Sequence, residues 1–166
     1  MDKNQLTDAL VAWLPEFIKR NFQDQYDLLE VIKGPQQLSR LNNQHIKNLQ
    51  NYSSWEFKPD VLGILKSKID STIKLAFINR TTAGISLKEI GELHCYAKLA
   101  KADFAILAST SGVSNEVNIL LVDKSIRARV LGYESNKSIC LFSWNEENGK
   151  ANRDSVLPTE MRNLFN

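Results

Sequence analysis

The spacing of apolar residues changes along the chain, and each spacing predicts an element. Leu6, Leu10, Trp13, Phe17 and Ile18 recur at helical intervals across residues 5–22, with Pro15 inside the pattern. A proline within a helix lacks an amide donor and crowds the preceding turn, so a kink or restart is expected there. Leu28-Leu29-Glu30-Val31-Ile32 is a short apolar run closed by Lys33-Gly34-Pro35, which suits a strand or the tail of a helix. Residues 38–52 are polar with scattered apolar positions and fit a helix only in part. Two apolar runs follow, Val61-Leu62-Gly63-Ile64-Leu65 and Ile73-Lys74-Leu75-Ala76-Phe77-Ile78. The polar residues 67–72 between them read as the turn of an antiparallel pair.

Ser86-Leu87-Lys88-Glu89 has the form of a capping box, in which Ser and Glu satisfy orphan amides at a helix start. Leu87, Ile90, His94, Ala97 and Lys101 then recur at three- and four-residue spacing and predict a helix over 86–101. Ala102-Asp103-Phe104-Ala105-Ile106-Leu107-Ala108 predicts another strand. The strand, helix, strand order from Lys74 to Ser109 is a crossover unit, a connection that is nearly always right-handed. Beyond Ser109, residues 118–122 fit helix or strand, and 129–133 with 138–142 read as a closing hairpin. Residues 145–154 are expected as a polar loop and 158–165 as a last helical turn. No repeat or linker divides the sequence, so one domain over 1–166 is expected, its core at 55–109.

A chain of 166 residues is long enough to bury a proper core. Its 43% hydrophobic and 24% charged residues exclude extensive disorder. The net charge of +2 and pI near 8.5 permit a nucleic-acid partner without requiring one. The charge is unevenly spread. Between Lys58 and Lys101 eight Lys and Arg stand against four Asp and Glu, a local excess of +4. Cys95 and Cys140 belong to no CxxC pair, so reduced, largely buried thiols in a cytoplasmic protein are expected. The first residues lack the basic and apolar regions of a signal peptide. No run of about 18 apolar residues predicts a membrane span.

Candidate chemistry lies in the core block. Pro59-Asp60 opens its first apolar run, Asn79-Arg80-Thr81 closes the second, and Glu92 and Tyr96 stand four apart on one face of the helix. This ordered set resembles the core of the PD-(D/E)XK nuclease superfamily. The resemblance implies an α/β fold of the restriction endonuclease-like type, with a central mixed β-sheet flanked by helices. It also implies action on DNA through Mg²⁺- or Mn²⁺-dependent hydrolysis of a phosphodiester. Carboxylates holding the metal polarise the phosphate and lower the pKa of the attacking water. Residues i and i+2 of a strand share a face, which is why the family writes its second acid and lysine as (D/E)-x-K.

In that pattern Asp60 is the first acid, Asn79 stands at the second acid and Thr81 at the lysine. Asparagine offers a metal a neutral oxygen, and threonine carries no positive charge. Glu92-Leu93-His94-Cys95-Tyr96 is similar to the Q-x-x-x-Y motif of the RecB-like branch, with Glu for Gln. The resemblance therefore implies Asp60 and Glu92 as metal ligands, with Glu89 the other candidate for the second acid. Tyr96 would support the site or touch substrate, and Lys58, Arg80, Lys88 and Lys98 would meet the nucleic acid. Two functions are carried forward: a DNA-cleaving enzyme whose second acid has moved to the helix, and an inactive nuclease-like module that binds DNA or assembles with a partner. A homodimer or a partner subunit is compatible with both.

Each residue also has a plainer role. Asp60 suits a turn after Pro59, and Asn79 and Thr81 suit the polar end of a strand. Glu92 suits a solvated flank, Tyr96 the edge of the core, and His94 a packed position. Trp13, Trp55 and Trp144 read as core or interface anchors, and Lys124, Arg127 and Arg129 as a solvated basic face.

Overall fold

Helix α1 (Lys3–Phe22) begins where Asp2 and Gln5 cap each other, Asp2 Oδ1 accepting from the Gln5 amide and Gln5 Oε1 from the Asp2 amide, each at 2.8 Å. The computed structural model, which describes residues 1–166, carries this helix unbroken through Pro15. The expected restart is absent because Leu10 and Leu14 before the proline, and Phe17 and Ile18 after it, are all buried against the sheet. In proteins it is this tertiary burial, more than propensity, that stabilises a helix.

Strand β1 (Tyr26–Lys33) resolves the first ambiguous run as strand. The long connection after it holds only short helical turns, among them α2 (Gln44–Lys47), and buries Leu38, Leu41, Ile46, Trp55 and Phe57. Strands β2 (Val61–Ser67) and β3 (Ile73–Thr81) form the expected antiparallel pair, and β2 pairs antiparallel with β1. Helix α3 (Leu87–Leu99) then crosses over to β4 (Phe104–Ser109), which lies parallel to β3 with Asn79 opposite Leu107 and Thr81 opposite Ser109.

Two short helices follow, α4 (Asn115–Leu120) and α5 (Lys124–Leu131), and then a small hairpin of β5 (Gly132–Glu134) and β6 (Lys137–Ser138). Strand β7 (Cys140–Asn145) is parallel to β4, and the two-residue β8 (Lys150–Ala151) pairs antiparallel with it. The main sheet has the order β1-β2-β3-β4-β7-β8, mixed and flanked by helices. The sequence pattern placed the closing hairpin too broadly. Residues 129–131 end α5, and the apolar run after Ser138 joins the main sheet beside β4. Runs this short fit either element, and the long-range pairing decides. Residues 145–154 likewise contribute β8, and 159–164 form a 3₁₀ turn.

Both faces of the sheet are covered. Leu75 and Phe77 of β3 pack under α3 with Ile90 and Leu93, while Ala76 and Ile78 pack under α1 with Leu6 and Leu10. This two-sided burial is why the central strands read as continuous apolar runs instead of alternating ones. Gly63 lets α1 settle close to the sheet, since a Cβ there would lie 2.9 Å from Leu14 Cδ2 and 3.1 Å from Ala76 Cβ. The sheet curls enough for Tyr26, at the start of β1, to hydrogen-bond Asp103 beside β4, although β2 and β3 lie between them. No helix is long and apolar enough to cross a membrane.

Candidate functional site

Asp60 sits where the chain enters β2, and backbone bonds fix it on both sides. Its amide donates to Ile78 O at 3.1 Å, and its carbonyl accepts from the Gly34 amide at 2.8 Å. Gly34 is required by this close approach, because a Cβ there would fall 2.2 Å from Pro59 O. The two ends of the connection between β1 and β2 are thus clamped together.

The carboxylate of Asp60 is occupied from within the chain. Oδ2 accepts from the Arg80 amide at 2.9 Å, and Oδ1 lies 3.3 Å from Arg80 Nη1. Arg80 Nε in turn donates to Lys3 O at 3.1 Å and to Thr7 Oγ1 at 2.9 Å, so the arginine joins β3, the start of β2 and the first turns of α1. Only 11% of the Asp60 side chain and 13% of the Arg80 side chain are exposed. Burial pushes the Asp60 carboxyl above its ordinary value. The Arg80 amide, the Arg80 guanidinium and the nearby Lys3 pull it down, and Glu92 pushes it up. Burial wins, as expected when taking two charges out of water costs more than their attraction returns.

The other two signature positions also form internal bonds. Asn79 Oδ1 accepts from the Asp60 amide at 3.3 Å, and Thr81 Oγ1 accepts from the Ala83 amide at 3.1 Å. Asp60 and Asn79 are thus neighbours, while Arg80 reaches the first turns of α1. The adjacent hydroxyls are spent in the same way. Ser109 Oγ donates to Ala83 O at 2.6 Å and Ser111 Oγ to Thr82 O at 2.7 Å, closing the loops that follow β3 and β4.

On α3, Glu89 Oε2 accepts from the Ser86 amide at 2.9 Å and serves the helix start. Glu92 is exposed, close enough to Asp60 to act on its charge. Tyr96 stacks on Phe57 with centroids 4.7 Å apart and planes 14° apart, and burial raises its hydroxyl pKa. His94 Nε2 lies 2.9 Å from Gly132 O and so helps hold the small hairpin to α3.

A Mg²⁺ site of the kind the resemblance implies would use one or two carboxylates free to coordinate, with water and phosphate oxygens. Asp60 already faces a guanidinium, Asn79 is an amide, Glu89 caps a helix, and no three His, Cys, Asp or Glu side chains are grouped to hold a metal ion. Of the two implied ligands, Asp60 is held by Arg80, and Glu92 stands exposed near it.

The basic residues divide in two. Arg80 is engaged internally, whereas Lys58, Lys88 and Lys98 are exposed and form no ion pair. Lys58 shares an open concavity of about 390 Å³ with Arg40, Gln36, Gln37 and Pro35, just beside Asp60. Arg40 also has no carboxylate partner, and sequence reasoning passed over it because it lies in the weakly patterned connection. The role of Arg80 was legible in part, since a residue between Asn79 and Thr81 faces the opposite side of a strand. No family model, curated protein or solved structure matches this chain.

Proposed function

We propose that this chain is a nuclease-like DNA-binding module, built on a restriction endonuclease-like core, that does not hydrolyse phosphodiesters. The element order supports the core: a helix, an antiparallel three-strand meander with Asp60 entering β2, a crossover helix, and a strand parallel to β3. The observation that carries the loss of hydrolysis is the pairing of Asp60 with Arg80. The one acid retained from the signature is neutralised by a residue of the next strand, and the other two signature side chains bond to the backbone.

DNA binding rests on cations that form no ion pair. Lys58 and Arg40 share one concavity, and Lys88 and Lys98 stand exposed on α3. Phosphate contacts by such residues release counterions, so affinity falls with salt by nearly one logarithmic unit per contact. Fluorescence anisotropy with labelled duplex and single-stranded DNA tests this, alongside cleavage assays in Mg²⁺ and Mn²⁺. The expected result is salt-sensitive binding without cleavage, weakened by Lys58→Ala with Arg40→Ala. Cleavage that Asp60→Asn abolishes would show an active nuclease instead. Absence of binding at low salt would leave the partner-assembly reading.

A further inference from the structure

A second feature lies at the other end of the sheet, on the α1 face, where β1 and β4 begin. A cavity of about 220 Å³ opens there. Phe17 and Phe22 of α1, Tyr26 of β1 and Phe104 of β4 form its aromatic wall, their centroids 4.9 to 6.4 Å apart. Its polar groups gather at one place. Asp103, with 5% of its side chain exposed, accepts from the Tyr26 hydroxyl on Oδ2 at 2.5 Å and from Lys137 Nζ on Oδ1 at 2.7 Å.

Two properties separate this arrangement from a structural cross-link. The concavity is half open to solvent, and its apolar walls carry an almost fully buried carboxylate. A cross-link between β1, β4 and the small hairpin needs no such concavity beside it. The carboxylate is also not saturated, since it can accept about four hydrogen bonds and receives two. Burial and the bond to Asp103 push the Tyr26 hydroxyl well above its ordinary value, so it stays a donor and leaves Asp103 as the acceptor.

We propose that this cavity binds a small uncharged aromatic molecule carrying an N–H or O–H donor, its ring against Phe22, Tyr26 and Phe104 and its donor on Asp103. Size sets the class, because an apolar cavity of about 150 Å³ holds benzene, so this one accommodates a fused bicycle such as indole. Charge sets it too. Lys137 already balances Asp103, so a charged ligand would have no partner. The site shares no residue with the surroundings of Asp60, and it stands or falls independently of DNA binding.

The chain offers a direct reporter, because its only two methionines are Met1 and Met161. Met161 lines the cavity, whereas Met1 is exposed at the start of the chain. Protein labelled with ¹³C at the methionine methyls is titrated with indole and followed by NMR. The Met161 signal should move saturably and the Met1 signal stay in place. With its donor blocked, 1-methylindole should bind about tenfold more weakly, the loss expected for a hydrogen bond to a charged group. Ser138→Trp, which fills the rim, should remove the Met161 response while circular dichroism stays native. A silent Met161 up to the solubility limit of indole, or equal movement of both methyls, overturns the site. Equal affinity for 1-methylindole overturns the role of Asp103, and undiminished binding by folded Ser138→Trp places the ligand elsewhere. The wild-type titration decides whether or not that variant folds.

Discussion

Replacing Arg80 with alanine tests whether Asp60 is held in the way its geometry indicates. The substitution removes the guanidinium 3.3 Å from Asp60 Oδ1 and the two bonds from Nε to Lys3 O and Thr7 Oγ1. Breaking a buried ion pair by deleting one partner costs about 3–5 kcal/mol, because the other charge stays buried without compensation. Here the Arg80 amide still donates to Oδ2, and a tenth of the carboxylate is wet, so about 2–3 kcal/mol is expected. For a domain of this size that lowers the melting temperature by about 4–12 °C. Asp60→Asn keeps an acceptor for the amide and removes both the pair and the cost of burying a charge. Those effects offset, and its stability should stay within about 1 kcal/mol of wild type. The double variant should then be less destabilised than the sum, with a coupling of about 1–2 kcal/mol. Urea unfolding followed by tryptophan fluorescence, with the slope checked for each variant, supplies all four corners of the cycle. An Arg80→Ala cost under about 0.5 kcal/mol, additive with Asp60→Asn, would refute the pairing and free Asp60 for a metal.

Three further outcomes follow from the same structure. Because Asp60 titrates above its ordinary value in the fold, its stabilising contribution is fullest at low pH and is lost as pH rises through the raised value. Asp60→Asn should therefore gain on wild type in unfolding midpoint as pH rises from about 4, the unfolded value, through the raised one, and a loss would contradict the sign. Gly34→Ala drives a Cβ into Pro59 O and should cost about 1–3 kcal/mol by thermal unfolding, and a neutral result would mean that the ends of this connection are not clamped. Burial pushes the Cys140 thiol up to about 12, whereas Cys95 is exposed, so iodoacetamide on the native protein should modify Cys95 alone by mass spectrometry.

The parts of the fold legible in the sequence were those with a sustained local period. The capping box at Ser86 and the three- and four-residue spacing after it placed α3 to within two residues, and the apolar runs around residues 67–72 placed β2 and β3. What escaped depends on distant neighbours. Nothing local says that residues 140–145 pair parallel with β4, or that burial beneath α1 carries its helix through Pro15. Cys95 was expected inside with Cys140, and it is exposed because it shares neither face of α3 with the buried Ile90, Leu93 and Ala97. At the candidate site, strand alternation puts Asn79 and Thr81 on one side of β3 and Arg80 on the other. The partner of Asp60 was hidden because Arg80 was weighed as a cation for phosphate, and only the approach of Lys3 and Thr7 gives its side chain a buried destination.

That approach makes the first turns of α1 part of the electrostatics at the far end of β3. The guanidinium that holds Asp60 is the same group that ties down Lys3 and Thr7. A cation that displaced the whole guanidinium from Asp60 would also release the helix start, and by reciprocity a released helix start would strengthen that cation's hold by the same factor. Docking of the amino-terminal helix and the pairing of Asp60 thus share one guanidinium.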